Sequence, residues 1–178
     1  LKQKGKSEWI YLLRGRVFPD YDERESGVSS QITIKAIAFA FGIKSEEIAK
    51  RYKKIGDLGE IAEEFASKKK QVSLFSSKLT VGKVFSNLQK LFDSHGKGAV
   101  KGKIDLIAEL FGSASGKEAK YIARTLLGEL RVGVADATLV EAIAECFYPE
   151  EKDEMADKIS DVFAKLNDSA EVFEKAAK

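Results

Sequence analysis

The ten residues Ser94–Lys103 (SHGKGAVKGK) gather three glycines and three lysines just ahead of an apolar helical run that starts near Ile104. Glycine lets a backbone approach an anion closely, and a helix N-terminus aims unused N–H groups at it. Lysine adds the charge, so the segment is suited to contacting phosphate. A Walker loop needs a glycine five residues before Gly-Lys-Ser/Thr. Five residues before Gly102 stands Lys97, and Lys103 is followed by Ile104, so a nucleotide-cradling loop is excluded. The plainer alternative is a solvated connection between two helices.

Two further glycine-bearing turns invite the same question. Residues 128–134 (GELRVGV) hold Arg131 between Leu130 and Val132, with Gly128 and Gly133 on either side. Small residues beside one arginine suit the minor groove of a duplex, where the potential is negative. Core packing behind a helix cap is the competing reading. Residues 55–59 (IGDLG) form a tight helix–helix turn in which Asp57 is expected to cap a helix, while Gly56 and Gly59 would let that helix end approach a phosphate. His95 reads as a loop histidine and Cys146 as a small buried hydrophobe. Acid pairs such as Glu63-Glu64 look solvent-facing, and no catalytic cluster emerges.

The charge pattern favours a polyanion as partner. Net charge is only +2 over 178 residues, yet Phe65–Ile104 carries nine lysines, Lys78 among them, against the single acid Asp93. Like charges at that density repel unless something balances them. Residues 141–178 lean acidic instead. One cysteine and one histidine exclude a disulfide framework within the chain and argue against a zinc site or a Cys-His nucleophile. No apolar run reaches the ~18 residues of a membrane helix, and no signal-peptide pattern opens the chain. The chain opens on Leu1 rather than methionine and is expected to be a piece of a longer protein.

The elements that would position these turns are helical. Apolar residues recur at three-to-four spacing in Trp9/Leu12/Leu13, Ile34/Ile37/Ala38/Phe41, Val84/Leu88/Leu91 and Ile104/Ile107/Ala108/Phe111, and again to Leu166. Ser45, Thr80, Ser115 with Glu118, Asp136 and Asp168 read as helix starts, and Gly42, Gly112 and Gly128 as stops. Alternation of period two is nowhere sustained. The fold class is therefore all-α, with about nine helices.

An internal echo adds organisation. Ala36, Ile37, Ala38 and Phe41 recur as Ala142, Ile143, Ala144 and Phe147; Ile48, Asp57, Glu60 and Ile61 recur as Ile159, Asp168, Glu171 and Val172. Leu12-Leu13 before Arg16-Val17 echoes Leu126-Leu127 before Arg131-Val132. The expectation is one all-helical domain of two pseudo-symmetric halves, about 1–70 and 117–178, around a lysine-rich segment of about 71–116. A partner with its own pseudo-two-fold, duplex DNA, fits such a domain. Lysine-rich segments and glycine turns on both halves are expected to converge on one cationic saddle.

The strings YKKIGDLGEIAEE (52–64), KGKIDLIAELF (101–111) and EAKYIARTLLGELRVGVADATLVEAIA (118–144), together with YLLRGRVFPDYDERESGVSS (11–30), resemble the N-terminal DNA-binding domain of archaeal and eukaryotic-type ATP-dependent DNA ligases. The resemblance covers nearly the whole chain. It implies a monomeric, intracellular domain (cytoplasm or nucleoid in an archaeon) that grips nicked double-stranded DNA through minor groove and phosphates, serving replication, repair and recombination. It implies Gly128, Arg131, Gly133, Gly98, Ala99, Lys101 and Lys103 as backbone contacts; Glu129 departs from relatives that place a basic residue there. The chain is also expected to begin after the family's first helix.

The resemblance further implies that catalysis, ATP and Mg2+ belong to nucleotidyltransferase and OB domains elsewhere in the ligase, which would be partners of this chain. Lys103-Ile104-Asp105-Leu106 is not the adenylated Lys-x-Asp-Gly motif, because leucine replaces glycine in an amphipathic helix. No catalytic, cofactor or metal residue is expected here. The alternative reading is a helical protein–protein adaptor that docks through its basic middle or its acidic Glu150–Asp157 segment.

Overall fold

The computed structural model describes residues 6–68, 79–131 and 134–178. Lys78 and Gly133, both expected in the site, lie outside the described residues, as do Lys69, Lys70 and Val132. Among the described residues there are ten helices and no strand: α1 (Ser7–Leu13), α2 (Ser30–Phe41), α3 (Ser45–Ile55), α4 (Leu58–Lys68), α5 (Val81–Phe92), α6 (Ala99–Ser113), α7 (Gly116–Leu126), α8 (Asp136–Phe147), α9 (Lys152–Leu166) and α10 (Ser169–Ala176). The fold is all-α. No helix of the described residues is long and apolar enough to cross a membrane.

Local chemistry sets several of the ends. Thr80 accepts a hydrogen bond from the Lys83 N–H, Ser115 and Glu118 close a reciprocal capping box, and Asp168 accepts from the Ala170 and Glu171 N–H groups. Gly42 and Gly56 end α2 and α3 in the left-handed region, where a Cβ would be strained. Three expected signals shift. Ser45 is the first residue of α3 rather than its cap, Asp136 opens α8 behind Ala135, and Gly112 stays inside α6. α6 runs on to Ser113, and the capping box at Ser115 then starts α7.

The chain forms two compact units, Arg24–Leu130 and a discontinuous one of Leu1–Glu23 with Arg131–Lys178. These boundaries differ from a division near residues 70 and 117, and apolar burial explains why. The stripe Ala119, Ile122, Ala123 and Leu126 of α7 is buried, and α7 packs on α4 in the contiguous unit. Ile10 of α1 is fully buried in a cluster with Leu139, Ile143, Ile159 and Phe173 of the discontinuous unit.

In the contiguous unit α4 and α7 run antiparallel. Arg124 pairs with Asp57 at one end, Lys120 with Glu63 further along, and Gly116 lies against Ser67 and the Glu63 carbonyl at the other. A Cβ on Gly59 would stand 2.9 Å from the Lys120 carbonyl oxygen and 2.8 Å from Arg124 Cγ. Glycine at both ends thus permits the close approach. α2 and α6 run parallel: Lys103 meets Ser26 at their N-terminal ends, and the Phe41 ring sits 6.2 Å from Phe111 toward the other.

In the discontinuous unit α1 packs on α10 and α8 on α9. The Phe147 and Phe173 rings are 5.6 Å apart, the Tyr148 hydroxyl donates to the Ala176 carbonyl at 3.0 Å, and the Arg14 guanidinium lies 5.3 Å from the Phe163 ring centre. Each unit holds one copy of the echo, α2–α3–α4 in one and α8–α9–α10 in the other.

Candidate nucleic-acid interface

The turn between α3 and α4 is built around Asp57. Its Oδ1 accepts from the Gly59 N–H at 2.7 Å and the Glu60 N–H at 3.3 Å, and its Oδ2 accepts from Arg124 Nη2 at 2.6 Å. Burial pushes the carboxyl up, but Arg124 and the two N–H groups outweigh it and hold Asp57 below the ordinary carboxylate range. The Arg124 guanidinium is held above its usual value by the same pair. Gly56 is exposed with φ +71, whereas Gly59 is buried and its N–H is taken by Asp57. Gly59 therefore serves the α4–α7 packing, and its amide is not turned toward solvent.

Because α4 and α7 are antiparallel, the far end of α7 comes beside this turn. Gly128 ends α7 at φ +67, with the Glu129 N–H donating to the Arg124 carbonyl at 2.9 Å. Gly128 and Arg131 are exposed, and Arg131 holds φ +54 without being glycine. Gly56 and Gly128 thus share one end of one helix pair. Arg124, which sequence reasoning passed over, joins their supports, and its spacing to Asp57 carries no local signal.

The lysine–glycine segment is built on the other pair. Gly98 precedes α6 at φ +89 and supplies no capping side chain, while the Ala99 N–H donates to the Gly96 carbonyl at 3.2 Å. Lys97, Gly98 and Lys101 are exposed, and Lys97 and Lys101 have no ion-pair partner among the described residues. Val100 is exposed between them. Two other lysines of the run are committed elsewhere. Lys83 pairs with Glu109 at 2.8 Å, and Lys68 pairs with Glu64.

Lys103 faces inward. It is 8% exposed, and its Nζ donates to the Ser26 carbonyl at 2.7 Å. The string Lys103–Leu106 lies within α6, and among the described residues no three His, Cys, Asp or Glu side chains could hold a metal ion.

The family model for the N terminus of DNA ligase matches residues 2–144. The chain belongs to that family. It is 47% identical to the DNA ligase of Thermococcus fumicolans over 137 residues, which is 77% of this chain and 24% of that protein. The DNA ligase of Methanocaldococcus jannaschii is 37% identical over 180 residues, covering 98% of this chain and 30% of that protein. That of Thermococcus onnurineus is 45% identical over 137 residues. The chain thus spans about a quarter to a third of the length of these relatives.

Proposed function

We propose that this chain is the DNA-gripping domain of an ATP-dependent DNA ligase. It holds nicked duplex through phosphates and the minor groove, without sequence preference, so that nucleotidyltransferase and OB domains elsewhere in the ligase can seal the nick with ATP and Mg2+. Family membership supports the ligase assignment. The observation that carries the grip is the pair of exposed lysines, Lys97 and Lys101, on the uncapped start of α6, where charge and helix-end N–H groups favour the same anion.

Gly56, Gly98, Ala99, Lys101, Gly128 and Arg131 are the proposed contacts, with Lys78 and Gly133 retained from the sequence. Gly59 and Lys103 act from beneath. Such contacts fix register on the duplex and carry no base information. Holding two DNA ends in place converts sealing toward an intramolecular step.

Anisotropy titrations of the chain on nicked duplex, with an acidic polymer as control, test the proposal. Binding to duplex should fall steeply with salt. Equal binding to the polymer, or a log–log slope near zero, would favour a protein-docking adaptor instead. Incubation with labelled ATP should leave Lys103 unlabelled.

A further inference from the structure

We propose that Lys103 is a positioning residue of the DNA grip, fastening the segment before α2 to α6 so that Lys101 and the first turn of α6 are held in place. The inference rests on the DNA-binding reading above. A lysine on this segment would be expected to offer its ammonium to phosphate. Instead the side chain is almost wholly buried, and the bond it makes spans 77 positions of sequence to a backbone carbonyl.

The receiving segment is shaped for it. Ser26 Oγ accepts from the Val28 N–H at 3.2 Å, which turns the Ser26 carbonyl, and Gly27 follows at φ +60. A Cβ on Gly27 would stand 3.1 Å from Lys103 Nζ, so a side chain at 27 would push the ammonium back by a few tenths of an ångström and would itself be strained at φ +60. Ser29 then caps α2. The tether therefore lies where the N-terminal ends of the parallel pair α2 and α6 come together.

Lys103 has no carboxylate partner among the described residues. A buried ammonium bonded to one carbonyl is costly compared with an apolar chain of the same length. What the ammonium adds is direction, because a methionine would fill the volume without fixing the loop. Lys101 stands two residues earlier on the same helix and is exposed. Its ammonium and the N–H groups of that first turn inherit whatever rigidity the tether provides.

Salt titrations separate a positioning lysine from a phosphate-contacting one. Each phosphate contact removed lowers the log–log salt slope by about one. Binding of nicked duplex would be measured for the parent chain, Lys101→Met, Lys103→Met, Gly27→Ala and the Lys103→Met/Gly27→Ala pair. Lys101→Met should lose about one unit of slope. Lys103→Met and Gly27→Ala should each weaken binding by a factor that does not change with salt. The double variant should be no weaker than the worse single one.

A slope lost on Lys103→Met would make it a phosphate contact, and unchanged affinity in both single variants would make the tether local packing; either result overturns the proposal. Gly27→Ala leaves every charge in place and carries the test even if Lys103→Met fails to fold. A parent chain with no salt dependence would instead bring down the DNA-binding reading itself.

Discussion

Tyr11 and Arg124 occupy equivalent places in the two units. Each stands four residues before a left-handed glycine, Gly15 or Gly128, and its carbonyl accepts from the N–H one residue beyond that glycine, Arg16 at 2.9 Å and Glu129 at 2.9 Å. Each side chain reaches a buried capping aspartate: the Tyr11 hydroxyl donates to Asp168 Oδ1 at 2.8 Å, and Arg124 Nη2 to Asp57 Oδ2 at 2.6 Å. The glycine register pairs Leu13 with Leu126, one step from the pairing suggested by the Leu-Leu strings. Burial and the Asp168 carboxylate push the Tyr11 hydroxyl well above the usual phenol range, so it stays protonated as a donor.

The two clasps should differ in strength. Arg124→Ala removes the ion pair of a buried carboxylate, which should cost about 3–5 kcal/mol. Tyr11→Phe removes one hydrogen bond from an aspartate that keeps two N–H donors, costing about 1 kcal/mol. Urea unfolding followed by circular dichroism reads both. Equal losses would show that the ion pair has no special weight.

Acid should release the contiguous unit's clasp. The folded Asp57 pKa lies below its unfolded value of about 4. Its contribution is therefore complete above that unfolded value and is lost as pH falls through the lower folded one. Glu64 and Glu109 shift the same way, held down chiefly by Lys68 and Lys83, but they are solvated and count for less. Melting temperatures from pH 6 to 2 should fall less steeply for Asp57→Asn than for the parent. Parallel curves would refute the assignment.

Three glycines should answer alanine differently. Gly59→Ala meets the Lys120 carbonyl and should cost about 1–3 kcal/mol. Gly116→Ala mainly meets Ser67 Oγ, which can rotate, and should cost less. Gly102 lies inside α6 with open space around it, so Gly102→Ala should stabilise by about 0.4–1 kcal/mol. Thermal melts that rank them otherwise would contradict the α4–α7 geometry.

On DNA, Arg131→Ala should weaken binding by a similar factor on duplexes of unrelated sequence, because a backbone contact reads no bases. Competition titrations with several nicked duplexes measure this. A loss confined to one sequence would point to base readout.

What the sequence discloses is what neighbours in the chain decide. Thr80, the Ser115–Glu118 box and Asp168 cap helices within three residues of themselves, so their pattern is visible in the string. Lys103 is misleading because its burial depends on Ser26 and Gly27, distant in sequence. Gly59 looks like a loop residue until α7 arrives beside it. The echo is silent on which neighbour each helix packs against: α1 precedes the first copy yet docks with the second, and α7 precedes the second yet docks with the first.

That exchange has a bearing on biosynthesis. A ribosome releases Arg24–Leu130 as one uninterrupted stretch, able to collapse as soon as it emerges. Ile10, by contrast, is made well before the residues that cover it, and stays exposed until Phe173 has been translated. Substituting Ile10 would accordingly be felt around Phe173, made far later.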